Sequence, residues 1–214
     1  INKLDREGAD FNRVLDQMRT RLNANPIVLQ IPVGEGPAHV DDPFRGVIDL
    51  VKMKLLTYKD VEVVEEEIPE EMADDAALWR ETLLEALYDQ SEEMAMMAME
   101  EQEIPTELIK STLRQATLER KVQPLLCGSA LHGMGVQGVL DAVEDYLPSP
   151  ADRPPVKGVV PGKKEKEEER APTADDPFCS LVFKILPAKT GDLYWVRVYS
   201  GELKSNSRLY CPDK

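Results

Sequence analysis

Asn2, Lys3 and Asp5, spaced as N-K-x-D at the start of a chain of 214 residues, are a set that could read a guanine base. Guanine offers two adjacent donors, N1–H and its 2-amino group, and one ionised carboxylate such as Asp5 can accept both as a bidentate pair. Adenine turns a lone pair to the same place. A carboxylate facing it in a desolvated pocket loses its partners, so the discrimination can be large. Asn2 can reach the O6/N7 edge of the base, and Lys3 can lay its aliphatic stem along the ring face while its ammonium stays in water.

A second set comes 124 positions after Asp5, where Ser129-Ala130-Leu131 follows the short apolar run Val122 to Cys127. Backbone N–H groups of a Ser-Ala pair at the end of a strand would face O6 of the same base. They suit a keto oxygen and would be left unpaired against the amino group of adenine. Leu131 would cover the base with an aliphatic side chain. Asp5 and Ala130 are therefore expected to read different atoms of one base from neighbouring loops.

Other motifs carry less. Gly133-Met134-Gly135-Val136-Gln137-Gly138 matches G-x-G-x-x-G, but no later strand ends in the acidic residue that a dinucleotide site needs, and the glycines are better read as a tight turn. Asp5-Arg6-Glu7-Gly8 matches D-x-x-G with its aspartate already committed to the base. Gly162-Lys163-Lys164 lacks the flanking residues of a phosphate loop. His39 and His132 stand outside any carboxylate or nucleophile cluster, and loop polarity and turn packing are their expected roles. Met94, Met96, Met97 and Met99 are expected to pack in a helical core rather than form a partner surface.

The elements that must hold the two loops can be read from periodicity. Asp10 to Leu22 predicts a helix capped by Asp10, with Phe11, Val14, Leu15, Met18 and Leu22 on one stripe. Strands are expected at Ile27 to Ile31, Phe44 to Val51, Lys54 to Tyr58 and Val61 to Ile68, the last exposed. Three helices should follow. One has Met72, Ala76, Trp79, Leu83 and Leu87 at spacings of three and four, one runs through Met94, Met97 and Ala98, and one extends from near Pro105 to near Lys121. A strand at 122–127 and a helix from Val136 to Leu147 return to α/β order. The economical architecture is one doubly wound α/β domain built from 1–25 and 123–150, with an inserted α+β subdomain at 26–122. Residues 151–175, with a run of Lys, Glu and Arg, read as a solvated linker. From 176 to 214 strands are expected at Phe178 to Leu186, Leu193 to Tyr199 and Arg208 to Cys211.

Composition bounds the class. Hydrophobic residues make up 42% of the chain, enough for real cores. No apolar run is long enough to span a membrane and no signal peptide is visible, so the expected location is cytoplasmic. Three distant cysteines, Cys127, Cys179 and Cys211, argue against disulfides or a zinc site. The first residue is Ile and the chain starts inside a motif, so an excised piece of a longer protein is expected. Net charge is −14, and between Asp60 and Glu107 eighteen acidic residues face one basic residue, Arg80. That segment carries −17 and leaves +3 for the remainder. Its acidic face would repel nucleic acid and steer basic proteins towards it, or simply keep the chain soluble.

Together these residues resemble bacterial translation elongation factor G. The resembling stretches are Asn2-Lys3-Leu4-Asp5 through Phe11, Ile31-Pro32-Val33-Gly34, Phe44 to Leu50, Cys127 to Ala130 running into Gly135-Val136-Gln137, Tyr146 to Pro150, and Arg197 to Gly201, in the family's order. The resemblance implies the C-terminal part of a P-loop GTPase domain carrying an inserted subdomain, followed by the first strands of a β-barrel domain. It implies a parent protein that uses GTP or GDP with Mg²⁺ and promotes translocation of tRNA and mRNA on the ribosome, with rRNA and the ribosomal stalk protein as partners and neither membrane nor DNA. Asn2, Lys3, Asp5, Ser129, Ala130 and Leu131 would be its guanine-binding residues, and Glu70, Glu71, Asp74, Asp75, Glu81 and Glu85 a stalk-docking face. Without a phosphate-binding loop or switch regions the isolated chain is expected to be inactive. Leu131-His132 departs from the family pattern, where a basic residue is usual. Two alternatives are a non-catalytic interaction module that docks the stalk, and a related ribosomal GTPase with a release or protection role.

Overall fold

A computed structural model describes residues 1–59, 62–160, 163–189 and 191–211, and divides the chain into two units, 1–147 and 148–214. Asp60 and Val61, at the start of the fourth expected strand, and Gly162 lie outside the described residues. The fold is mixed α/β with open sheets.

Leu29 is the residue at which the first unit passes from one sheet to another. The expected strand from Ile27 to Ile31 is in fact two strands, β1 (Pro26–Val28) and β2 (Gln30–Val33). Leu29 N–H donates to Leu125 O, while Leu29 O accepts from Leu50 N, both at 2.9 Å, so its two backbone groups serve different neighbours. β2 opens a four-stranded antiparallel meander with β3 (Gly46–Asp49), β4 (Lys54–Lys59) and β5 (Glu62–Glu66). β3 is shorter than expected because Asp49 Oδ1 accepts from Val51 N and Lys52 N and turns the chain. Gly46 has no room for a side chain, since a Cβ would lie 2.6 Å from Leu56 O on the neighbouring strand.

The helices are α1 (Phe11–Leu22), α2 (Glu70–Tyr88), α3 (Glu92–Met99), α4 (Thr106–Leu118) and α5 (Val136–Tyr146), with β6 (Gln123–Leu125) between the last two. β6 pairs with β1 in parallel, Ile27 opposite Pro124, so β1 belongs to the sheet of the base-reading loops rather than to the meander. Asp10 caps α1 by accepting from Arg13 N at 2.7 Å. Phe11 and Leu15 are buried, whereas Leu22, expected on the same stripe, is exposed in the last turn. Phe11 meets Trp79 of α2 edge to face with ring centroids 6.1 Å apart. Arg80 holds α2 against the meander by donating to Leu50 O at 2.6 Å. Ala76, Leu83 and Leu87 are buried under α2 and Met94 under α3, but Met96 and Met99 point to solvent, contrary to the core role expected of them. The N-termini of α2 and α4 rest on Pro69 and Pro105 with no side-chain cap bond.

In the second unit, residues 151–175, expected as a solvated linker, carry regular structure. They hold an antiparallel pair, β7 (Val156–Val160) and β8 (Lys163–Arg170), with Lys157 Nζ 2.9 Å from Glu169 Oε1 across it. Backbone pairing satisfies the polar main chain, and Lys166, Glu167 and Glu169 stay exposed. β9 (Cys179–Ala188) and β10 (Gly191–Ser200) form a second antiparallel hairpin. Residues 208–211, expected as a strand, have no strand partner. Among the described residues no helix is long and apolar enough to cross a membrane.

Candidate functional site

The chain N-terminus extends the parallel sheet on the far side of β6. Ile1 N donates to Leu126 O at 2.6 Å, Gly128 N to Ile1 O at 3.0 Å, and Leu4 N to Gly128 O at 3.2 Å. These bonds set the loops at 2–5 and 128–132 side by side. Leu4 anchors the first loop by burying its side chain, and its carbonyl accepts from Gly36 N at 2.7 Å. Lys3 adopts φ +69°, a left-handed turn residue, and remains exposed. The second loop is a 3₁₀ turn, Ala130–His132, pinned by a two-way bridge in which Ser129 N donates to Met134 O at 2.9 Å and Met134 N to Ser129 O at 3.0 Å.

Asn2 joins the two loops. Its Oδ1 accepts from Lys3 N at 2.7 Å and from Ala130 N at 3.0 Å. The Ala130 N–H, expected to face O6 of a base, is therefore donated to Asn2, because the amide oxygen lies within reach of it across the sheet extension. The remaining polar group of Asn2 is its amide nitrogen, a donor, which suits the acceptor edge of guanine.

Asp5 stands beside Ser129, whose side chain is fully buried. The Ser129 hydroxyl favours the ionised carboxylate and holds the Asp5 pKa below the ordinary carboxylate value, against an opposing effect of burial. The two groups nevertheless form no aligned hydrogen bond. Asp5 Oδ1 and Ser129 Oγ are both shielded from solvent with no hydrogen-bond partner in the protein. An ionised carboxylate with a buried, unpartnered oxygen is an acceptor waiting for a donor. The other oxygen, Oδ2, lies 3.5 Å from Nε2 of His132. His132 was the residue missed by sequence reasoning. Its only signal was position, three residues after Ser129 on a turn whose reversal could not be seen in advance. A base engaging both Asp5 oxygens would have to displace this contact. Leu131 is 73% exposed and lies beside His132 on the same turn.

Two neighbours of the loop constrain it. Cys127 is buried with Sγ 3.6 Å from Gln30 O, and burial pushes its thiol pKa up to about 12. In the folded chain at pH 8, Cys127 should therefore resist iodoacetamide while the exposed Cys211 is modified, as peptide mass spectrometry would read directly. Gly128 has no space for a methyl group, because a Cβ would press into the Met134 carbonyl oxygen and sit 3.3 Å from Gly135 Cα. Gly128→Ala should lower stability by about 1–3 kcal/mol, and the amide signals of residues 129–134 should shift in an ¹H–¹⁵N spectrum. An unchanged melt and spectrum would show that the loop does not depend on this close approach.

The six acidic residues expected as a docking face all lie exposed on α2. At about 100° per residue Glu70, Asp74, Glu81 and Glu85 fall within roughly 60° around the axis, with Glu71 and Asp75 flanking them. They are remote in sequence from the base-reading loops, on a helix that turns its other side to the core. Among the described residues no cluster of three His, Cys, Asp or Glu side chains is arranged to hold a metal ion.

Residues 1–149 match the family described as the elongation factor Tu GTP binding domain. Elongation factor G of Salinibacter ruber (strain DSM 13855 / M31) is 44% identical over 220 residues, an alignment that takes in 100% of this chain and 30% of that protein. The chain thus spans about a third of the length of this relative. A crystal structure from Thermus thermophilus is similar with a TM-score of 0.71 and 22% identity, over 96% of this chain and 27% of that one, a likeness of fold.

Proposed function

The chain belongs to the family of the elongation factor Tu GTP-binding domain, and on that ground we propose that it is the guanine-reading part of a translational GTPase of the elongation factor G type. The observation that carries this reading is the ionised Asp5 with its buried, unpartnered Oδ1 beside Ser129, on a loop that Asn2 Oδ1 ties to Ala130 N. In this reading Asp5 accepts N1–H and the 2-amino group, Asn2 donates to the N7/O6 edge, Lys3 lies along one ring face and Leu131 covers the other. The 44% identity to an elongation factor G over the whole chain supports a role in GTP-dependent movement of tRNA and mRNA on the ribosome, in the cytoplasm.

GTP hydrolysis needs a phosphate cradle, Mg²⁺ ligands and a positioned water. In the proposed protein those groups come from outside this chain, which by itself specifies the base and does not turn over. The proposed division is a GTPase-domain part at 1–25 and 123–150, an inserted subdomain at 26–122, a connection at 151–175 and the opening of a β-barrel domain from 176.

The test uses this chain alone. In an ¹H–¹⁵N titration, millimolar guanosine should shift the amides of Asn2, Lys3, Asp5, Ser129 and Ala130, and adenosine should not. Equal shifts with both nucleosides, or none with either, would remove the assignment. Submicromolar GDP binding by the isolated chain would refute the claim that it holds only the base.

The exposed acidic face of α2 supports a second assignment, docking of the ribosomal stalk protein through Glu70, Glu71, Asp74, Asp75, Glu81 and Glu85. Such an encounter is steered by charge. Association with the stalk's C-terminal domain should weaken as salt rises from 0.05 to roughly 0.5 M, and salt-independent binding would contradict it.

A further inference from the structure

A cavity of about 440 Å³ lies between the meander and α5. That volume falls within the range of small-molecule sites, about 300–1,000 Å³. Gln30 of β2 and Asp49 of β3 sit opposite each other across the strand pair and both line it. Gln30 is 3% exposed, and its Oε1 has no hydrogen-bond partner. Asp49 is half-buried at the end of β3, where Val51 N and Lys52 N donate to its Oδ1. Glu65, Asp141, Glu144 and Asp145 add carboxylates, against two lysines. Both lysines are already paired, Lys52 with Glu65 at 2.6 Å and Lys110 with Asp145 at 2.8 Å. Asp49, Asp141 and Glu144 are the negative excess.

The walls narrow the chemistry of an occupant. Leu29, Val51, Leu56 and Leu126 present apolar surface, and Tyr58 and Tyr146 line the same space. A metal ion does not fit this lining, because the described acidic groups are not gathered into a three-ligand cluster. An anion would meet the negative excess. A flexible chain of methylenes bearing separated ammonium groups matches apolar walls, dispersed carboxylates and an unsatisfied amide oxygen at once. Independently of the guanine assignment, we propose that this cavity binds a linear aliphatic polyamine, with Gln30, Asp49 and Asp141 accepting from its ammonium groups. Burial raises the Asp49 pKa, and an ammonium beside it would favour the ionised form.

Spermidine titrated calorimetrically into the 214-residue chain tests the proposal. Because a chain of net charge −14 attracts polycations anywhere on its surface, the variants carry the decision. Asp141→Asn, at an exposed position of α5, and Gln30→Leu, which keeps volume but removes the acceptor, should each weaken binding at least about tenfold. Glu93→Gln, exposed on α3, should leave affinity within twofold, and MgCl₂ at matched ionic strength should not displace the ligand. Circular dichroism confirms that each variant is folded, and Asp141→Asn decides the matter if Gln30→Leu is not. Equal affinity in all three variants, displacement by Mg²⁺ alone, or no binding of spermidine would each overturn the site.

Discussion

Asp5→Asn, placed in the longer GTPase proposed above, should lower affinity for GDP by about a hundredfold or more and invert the preference towards xanthosine diphosphate. Asparagine keeps one acceptor for N1–H but replaces the second with an N–H donor. That donor faces the 2-amino group of guanine and is repelled, while xanthine carries a carbonyl oxygen at the same carbon and can accept from it. The buried location makes the mismatch expensive, since Oδ1 already lies out of reach of water. The same substitution should alter thermal stability little, within about 0.5 kcal/mol, because Oδ1 has no partner inside the protein and Oδ2 has only the contact to His132 at 3.5 Å. Competition binding with GDP, xanthosine diphosphate and ADP reads the first effect and a melt the second. A variant that held GDP as tightly as before would disconnect Asp5 from the base. A variant that unfolded would make Asp5 a structural residue instead.

Leu113→Ala should cost the first unit about 2–5 kcal/mol, the largest stability loss expected from a single truncation here. Leu113 sits on α4 with 0% exposure, one turn from the equally buried Ile109 and Ala116, inside the cluster that joins the helices to both sheets. Its removal takes out buried methyl groups and leaves a void that close packing on several sides cannot collapse to fill. Leu181→Ala on β9, where the side chain is 54% exposed, should change stability by less than about 1 kcal/mol. The two tryptophans allow the units to be followed separately in urea: Trp79 belongs to 1–147 and Trp195 to 148–214, so Trp195→Phe leaves a reporter on the first unit alone. Equal losses from the two leucine truncations would contradict the burial pattern.

Much of the fold follows from local pattern. Asp10 and the spacing of Phe11 and Leu15 place α1, and Ala76, Leu83 and Leu87 recur at helical intervals that leave the acidic residues of α2 on the other side. These elements were legible because their information lies within a few turns of chain. The exceptions share a cause. Ile27 to Ile31 looks like one strand, yet its central residue bonds to β6 on one side and to the turn after β3 on the other. The Lys/Glu run at 163–170 looks like solvated coil, yet it pairs with β7. Arg208 to Cys211 has strand-like composition and no strand. In each case the outcome depends on a neighbour that local sequence does not name.

The candidate site divides in the same way. Residue types and spacing alone led to the proposal that Asp5 and Asn2, with Ser129-Ala130, read guanine, and determined that the acidic charge is concentrated in one segment. Only the tertiary structure decided that the two loops are joined through Asn2 Oδ1, that the Ala130 N–H is spent on that bridge, that His132 reaches Asp5, and that Gln30 and Asp49 face one cavity. The reason is physical. Which base a carboxylate can accept from is a property of the group itself, carried wherever the chain places it. Which hydrogen bonds it has left to accept depends on atoms more than a hundred residues away, brought beside it by the pairing of Ile1 to Leu4 with Leu126 to Gly128.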